Sequence, residues 1–238
     1  MEKAKRKKEQ RLKRQVEQRK KSRNMKILVW SLAAAFVILI ALLVAFKPRP
    51  GAVDVAYDKL PTLGKADAPV KIVEIGDFKC PTCAYFSQQI VPELQKDYID
   101  TGKVSLSYQN WTIIYEDSFT AALAGQAIYH QNNDDFWKFY HAILDNQQEE
   151  KKIWATPEYL TELAKQHGVK VDYDKLKQDI EKGTYKDEID SQNRFAVQQR
   201  FTGTPTVLIN GRKLDDKTSL NYNNLKAEIE KALQEAGQ

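Results

Sequence analysis

Residues 70–86 read VKIVEIGDFKCPTCAYF, and they hold the only two cysteines in a chain of 238 residues. VKIVEI, residues 70–75, is short, β-branched and almost wholly apolar, the pattern of a strand buried on both faces. Gly76-Asp77-Phe78-Lys79 turns the chain, and from Pro81 the apolar positions Phe86, Ile90 and Leu94 recur every four residues, a helical period. Cys80 and Cys83 therefore stand where a strand hands over to a helix. A structural staple would close a longer loop, because a short one removes little chain entropy from the unfolded state. A zinc site would need a second ligand pair at finger spacing, which two cysteines and three scattered histidines do not supply. The spacing suits a disulfide that opens and closes, against the plainer reading of two buried cysteines met by chance.

The chemistry follows from the helix. Cys80 at its first turn would meet unpaired N–H groups and the positive end of the macrodipole, which favour a thiolate. Such surroundings lower a cysteine pKa from about 8.5 to within roughly 3.5–7.5. Pro81 loses nothing there, since its missing N–H would have been an orphan donor. Cys83, three residues on, shares the helical face and can resolve a mixed disulfide formed at Cys80.

The formal net charge of +5 averages two unlike parts. Residues 1–26 carry thirteen Lys and Arg against three Glu, leaving 24 basic and 29 acidic residues in the rest. The basic segment runs into ILVWSLAAAFVILIALLVAF, residues 27–46, without a charge. Twenty helical residues span about 30 Å, the thickness of a bilayer's hydrocarbon core. The run exceeds a signal peptide's apolar region, and no small-x-small cleavage site follows Phe46, so an uncleaved transmembrane anchor is expected. Flanking Lys and Arg would keep residues 1–26 cytoplasmic and put the remainder outside the cell membrane, where disulfides persist. Nucleic-acid binding is the sharper reading of the basic segment, but beside a span its expected partner is anionic lipid. KPRPG, residues 47–51, begins a stiff spacer taken to run from 47 to 60.

Beyond the cysteines, KVSLSY at 103–108 alternates like a strand, and Pro92 is expected to kink or interrupt the preceding helix. From Ser118 to Phe201 the pattern is helical: Ser118 and Asp135 are candidate caps, Thr156-Pro157 a start and Gly168 a stop, with further helices over 172–183 and 187–200. TPTVLIN, 204–210, restores strand character, Asn210-Gly211 signals a hairpin, and 221–236 closes as a helix. The order strand, helix, strand, helical block, hairpin, helix points to an α/β sheet carrying an inserted helical subdomain at about 118–201.

VKIVEIGDFKCPTCAYF, the helix after it and TPTVLING at 204–211 resemble the thioredoxin superfamily. The helical block, with LGKADAPV before the first strand, is similar to its DsbA-like branch, in particular to membrane-anchored oxidoreductases of Gram-positive bacteria. The likeness covers about 60–238 and implies a thioredoxin-like fold, with the domain itself taken as 61–238. It implies that Thr204-Pro205 is a cis dipeptide facing the cysteines, its backbone free to pair with an extended substrate segment, and that Glu74 is a buried acid accepting the Cys83 proton. The alternative for Glu74 is an ion pair with Lys71 or Lys79 at a strand end. One departure stands out: strongly oxidising members carry His in the dipeptide, and here Pro81 is followed by Thr82, which offers only a hydroxyl.

Some relatives bind calcium, but no D-x-D-x-D loop or compact carboxylate group occurs, so no metal is expected, and no cofactor. Asp134-Asp135, Glu149-Glu150 and Asp215-Asp216 read as caps or solvated faces, His130, His141 and His167 as surface or satisfied residues, and Trp137, Trp154 and FWKFY as core of the insertion. The leading function is an extracytoplasmic dithiol oxidase that passes its Cys80–Cys83 disulfide to exported cysteine-containing proteins and is reoxidised by a quinone-linked membrane partner. A reductase or isomerase would use the same residues at a different redox poise. An anchored chaperone would not need the cysteines.

Overall fold

The computed structural model describes residues 51–237 together with Trp30. The basic segment 1–26, the remainder of the apolar run 27–46 and the start of the spacer lie outside the described residues. Among the described residues no helix is long and apolar enough to cross a membrane.

Five strands form one sheet: β1 Thr62–Leu63, β2 Val70–Gly76, β3 Val104–Asn110, β4 Thr206–Ile209 and β5 Arg212–Lys213, in the order β1-β3-β2-β4-β5. β2 runs parallel to β3, with Glu74 opposite Tyr108, and antiparallel to β4, with Glu74 opposite Val207. Both faces of the sheet are covered, which is why β2 is apolar save for the partly exposed Lys71 near its start and the buried Glu74. Side chains alternate across it. Val73 and Ile75 pack with Val55, Leu60, Trp111, Phe201 and Leu208, whereas Val70 and Ile72 join the larger cluster under the helices. By the same parity Glu74 faces that larger cluster.

The helix after Cys80 runs over 81–99 and absorbs Pro92 without breaking. α-Helical turns at Pro81–Tyr85 and Val91–Leu94 alternate with wider π-helical turns at Phe86–Ile90 and Gln95–Ile99. Pro92 falls in the first turn after a π segment, where its missing N–H is tolerated. The block between β3 and β4 contains the helices Ser118–Tyr129, Asn133–Asp145, Pro157–Gln166, Tyr173–Lys182 and Lys186–Gln198, and Asp216–Ser219 and Tyr222–Glu235 close the fold. Thr156 caps its helix by accepting from Tyr159 N–H, Asp172 from Lys175 N–H, and Gly183 ends that helix at φ +63°.

Three start signals differ. Asn132, not Asp135, caps the second block helix, accepting from the N–H groups of Asp134 and Asp135. Ser118 opens the first block helix rather than capping it, and its hydroxyl accepts from Tyr115 N–H. Lys186 precedes Asp187 in the fifth. The segment before β1 is also packed: Val53 N–H donates to Gly211 O at 2.9 Å, and Val55 and Leu60 are buried. Asn210 and Gly211 take φ of +47° and +77°, as a two-residue hairpin turn requires.

Candidate active site

Cys80 occupies the N-cap of its helix, with Pro81 as the first helical residue. Its N–H is held by Asp77 O at 2.9 Å, and its carbonyl accepts from Cys83 and Ala84 N–H at 3.1 Å each. That places the sulfur at the helix tip, 4% exposed, while Cys83 one turn on is fully buried. Both are free thiols. Their acidities diverge strongly. Cys80 is lowered to about 6, first by hydrogen bonding from the Cys83 thiol, against the cost of burial, with help from the Thr204 side chain and the N–H groups of Cys83 and Thr82. Cys83 is pushed well above its ordinary value by burial, by its bond to Cys80 and by the charge of Glu74.

The Thr204–Pro205 peptide is cis and stands opposite the cysteines. The Cys80 thiol donates to Thr204 O at 3.2 Å. Thr204 Oγ1 is buried with no partner in the resting geometry, so its hydroxyl can turn toward the sulfur. Thr82, Gly203, Thr204, Pro205, Asp216 and Leu220 line a groove of about 270 Å³ beside this pair. A larger cavity of about 670 Å³, lined by Asp54, Asp58, Asp187 and Glu188 among others, contains neither cysteine and is not where this chemistry would occur. Among the described residues no group of three or more His, Cys, Asp or Glu could hold a metal ion.

Glu74 is fully buried and pairs with neither Lys71 nor Lys79. Tyr140 Oη donates to its Oε2 at 2.5 Å, and Oε1 has no hydrogen-bond partner in this geometry. Burial raises Glu74 to about 8, opposed by Tyr140 and by the neighbouring Cys83 thiol. A carboxyl that is protonated at neutral pH thus lies beside the thiol that is hardest to ionise. A side chain on Gly76 would crowd it, because a Cβ there would stand 2.7 Å from Tyr108 Cε2 and 3.1 Å from Glu74 Oε1.

Lys79 is instead part of a clasp invisible in the sequence. Its ammonium is buried, paired with Asp117 and donating to Lys152 O at 2.7 Å, with the Tyr115 and Trp154 rings at 4.8 and 5.2 Å. Asp117 Oδ2 also takes the N–H groups of Trp154 and Ala155, each at 2.8 Å. Burial works to raise Asp117, but Lys79 and those N–H groups outweigh it and hold it below the usual carboxylate range. Asp77 accepts from Lys79, Ile113 and Ile114 N–H, and Gln147 donates to Phe78 O and Cys80 O. The helical block is therefore tied directly to the cysteine loop. On the loops held by this clasp, Ile113, Tyr115 and Ile153 stay 47%, 36% and 61% exposed, an apolar rim that sequence patterning gave no means of locating. The histidines are satisfied locally: His130 by Glu188, His141 by Ser87, His167 by Asn146.

An acidified thiol at a helix tip, a buried thiol one turn on and a cis-proline loop on this sheet make a geometry suited to dithiol–disulfide exchange. A family model described as thioredoxin matches residues 58–231. The probable disulfide bond formation protein D of Bacillus cereus is 38% identical over 178 residues, 75% of this chain and 81% of that protein. The disulfide bond formation protein D of Bacillus subtilis is 35% identical over 173 residues, 73% and 77% of the two chains. The crystal structure of oxidised BdbD from Bacillus subtilis superposes with a TM-score of 0.72 at 33% identity, covering 77% of this chain and 97% of that one. Chlamydia trachomatis DsbA gives 0.65 at 25% identity, covering 77% and 93%. The chain belongs to the thioredoxin family, among its DsbA-like thiol-disulfide oxidoreductases.

Proposed function

We propose that the chain is a protein disulfide oxidoreductase that donates its Cys80–Cys83 disulfide to exported cysteine-containing proteins. The observation that carries this reading is the split between the cysteines: Cys80 lowered to about 6 at the helix tip, Cys83 buried and raised. A client thiolate attacks Cys80 Sγ, the Cys80–Cys83 bond breaks, and Cys83 leaves as a thiolate that takes the Glu74 proton. A second client thiolate then attacks the client sulfur of the mixed disulfide and expels Cys80. Two electrons pass from client to enzyme, one client disulfide forms, and Cys80 is a good leaving group because its thiolate is stabilised. Thr204 and Pro205 offer an extended client segment a backbone edge, and Ile113, Tyr115 and Ile153 offer its apolar side chains a surface. Pro81 and Thr82 set the helix tip.

In this reading residues 1–26 form a cytoplasmic tail touching anionic lipid, 27–46 a single membrane span, and the chain from 47 onward stands outside the cell membrane, with the catalytic domain over 61–238. A quinone-linked membrane protein would restore the disulfide. The test is the reduction potential of the purified chain in detergent, set against glutathione buffers and read by thiol trapping. A value near −120 to −180 mV accords with disulfide donation, whereas one near −270 mV would make the protein a reductant and overturn the proposal.

A further inference from the structure

Lys79 stands one residue before Cys80, and its ammonium is wholly buried although a buried charge is costly where an apolar side chain would fit. The chain keeps this charge at the junction of two loops. Its Nζ donates to Lys152 O at 2.7 Å on one loop and lies 4.8 Å from the Tyr115 ring on the other. Its partner Asp117 accepts from Trp154 and Ala155 N–H, so the backbone is gripped on both sides of Ile153 while the Ile153 side chain stays mostly in solvent. The other loop is held in the same manner. Asp77 Oδ2 accepts from Ile113 and Ile114 N–H at 2.8 and 3.0 Å, Asn193 Oδ1 from Thr112 N–H at 2.9 Å, and Ser118 Oγ from Tyr115 N–H at 3.1 Å. These ties lead back to the reactive turn, where Asp77 O accepts from Cys80 N–H and Gln147 donates to Phe78 O and Cys80 O. Exposed apolar side chains on pinned backbone are a preorganised surface, since much of the ordering that binding demands is already complete in the free protein.

We propose that Lys79 and Asp117 are specificity-determining positioning residues: they fix the loops at 113–115 and 152–155 at a set reach from Cys80, so that clients with apolar side chains beside their cysteines react in preference to polar ones. The inference rests on the reading of Ile113, Tyr115 and Ile153 as the surface that a client's apolar side chains meet. Both residues act through the loops and not on the sulfurs. Asp117 holds the backbone after Ile153, and the Lys79 ammonium holds the carbonyl before it and reaches across to Tyr115, so loss of either charge frees one side of the rim. Loosened loops would spread the rim side chains over many positions. Each side chain that a client must then order weakens the contact by roughly twofold to tenfold. A polar client makes little use of the rim and is little affected.

The experiment mixes the oxidised full chain in detergent with two dithiol peptides that differ only in carrying leucine or serine beside their cysteines. Loss of peptide thiols is followed by acid quench and trapping, and the readout is the ratio of the two second-order rates. Asp117→Asn keeps an oxygen for the Trp154 and Ala155 N–H groups but removes the charge that holds Lys79, and the leucine-to-serine ratio is expected to fall at least about fivefold. A role confined to general stability would lower both rates together and leave the ratio alone. Lys79→Met combined with Asp117→Asn leaves no charge buried alone, serves where the single variant disturbs the fold, and should lower the ratio as well. Ile113→Ser combined with Ile153→Ser keeps the clasp and removes rim side chains. A lowered ratio there, with a wild-type ratio in both clasp variants, would refute the role of the clasp and leave the rim reading standing. A wild-type ratio in the rim variant would instead remove the premise, and an oxidised chain that leaves both peptides reduced would overturn the proposed function itself.

Discussion

Cys80 should make the reduction potential respond to pH with a break near pH 6. The perturbation is proton activity, and the magnitude follows from the thiol's folded value of about 6 against an ordinary 9.0. A cysteine whose folded pKa is depressed contributes stability that is complete above its unfolded pKa and is lost as pH falls through the folded one. The reduced fold therefore gains about 1.4 kcal/mol at pH 7 and about 4 kcal/mol above pH 9, where each pKa unit counts about 1.36 kcal/mol. The disulfide has no such proton to lose, so the gain belongs to the reduced form and raises the potential by about 30 mV at pH 7 and about 90 mV above pH 9. Below the break two protons accompany two electrons and the potential should fall by about 59 mV per pH unit. Above it only Cys83 is protonated, and the slope should halve to about 30 mV. Equilibration with dithiothreitol or glutathione buffers from about pH 5 to 9, with thiol trapping at each point, reads the slope directly. A steep slope continuing to pH 8 would mean that Cys80 keeps its proton and that the helix tip, Cys83 and Thr204 do not stabilise a thiolate.

Glu74 has the opposite linkage: its folded value of about 8 lies above its ordinary 4.5, so its burial is free of penalty below pH 4.5 and fully unfavourable above pH 8. Glu74→Gln should accordingly raise unfolding stability by about 2–3 kcal/mol at pH 7, shrinking toward zero near pH 4.5, and a urea midpoint that stays put at both pH values would contradict the assigned burial cost. Asp117→Ala leaves the Lys79 ammonium buried without its carboxylate and orphans two N–H groups, so a loss of about 3–5 kcal/mol is expected in urea titration, and a loss under about 1 kcal/mol would show the clasp to be dispensable. Gly211→Ala puts a Cβ 2.4 Å from Val53 O at φ +77°, which should cost about 1–3 kcal/mol and open residues 52–56 to protease; unchanged proteolysis would sink the idea that this contact pins the segment.

The backbone of the fold was readable wherever local chemistry decides structure. Thr156-Pro157, Asp172 with Gly183, and Asn210-Gly211 each solve a local problem of unpaired N–H groups or positive φ, and each appears where the residues called for it. Asn132 was missed because Asp135 has the same capping chemistry three residues on, and only the packing of Asn133 against β1 settles the start: its side chain accepts from Thr62 N–H and donates to Thr62 O. β1 itself has two residues and exists only through its pairing with β3, so no periodicity could reveal it. At the site, the cysteines were legible by their spacing, and Glu74 only through its likeness to the family's buried acid. Tyr140 was not, since FWKFY reads as core and the phenol differs from phenylalanine only in a hydroxyl whose partner lies 66 residues away in sequence. Lys79 and Asp117 were unreadable for the same reason, being 38 residues apart.

The sheet's two borders bear on the company this protein keeps. Unfolded exported chains are rich in segments ready to add themselves to any open strand, and an enzyme that handles them risks becoming a seed for their aggregation. Here β1 and β5, the border strands, are two residues long, β5 consists of Arg212 and Lys213, and the turn beside it is occupied by Val53. A visiting chain finds no lengthy border to extend. In the proposed function, the short stretch of backbone before the cis-proline, beside Cys80, is the place left for it, which would steer strand pairing toward the sulfur and keep it brief enough to let the client go.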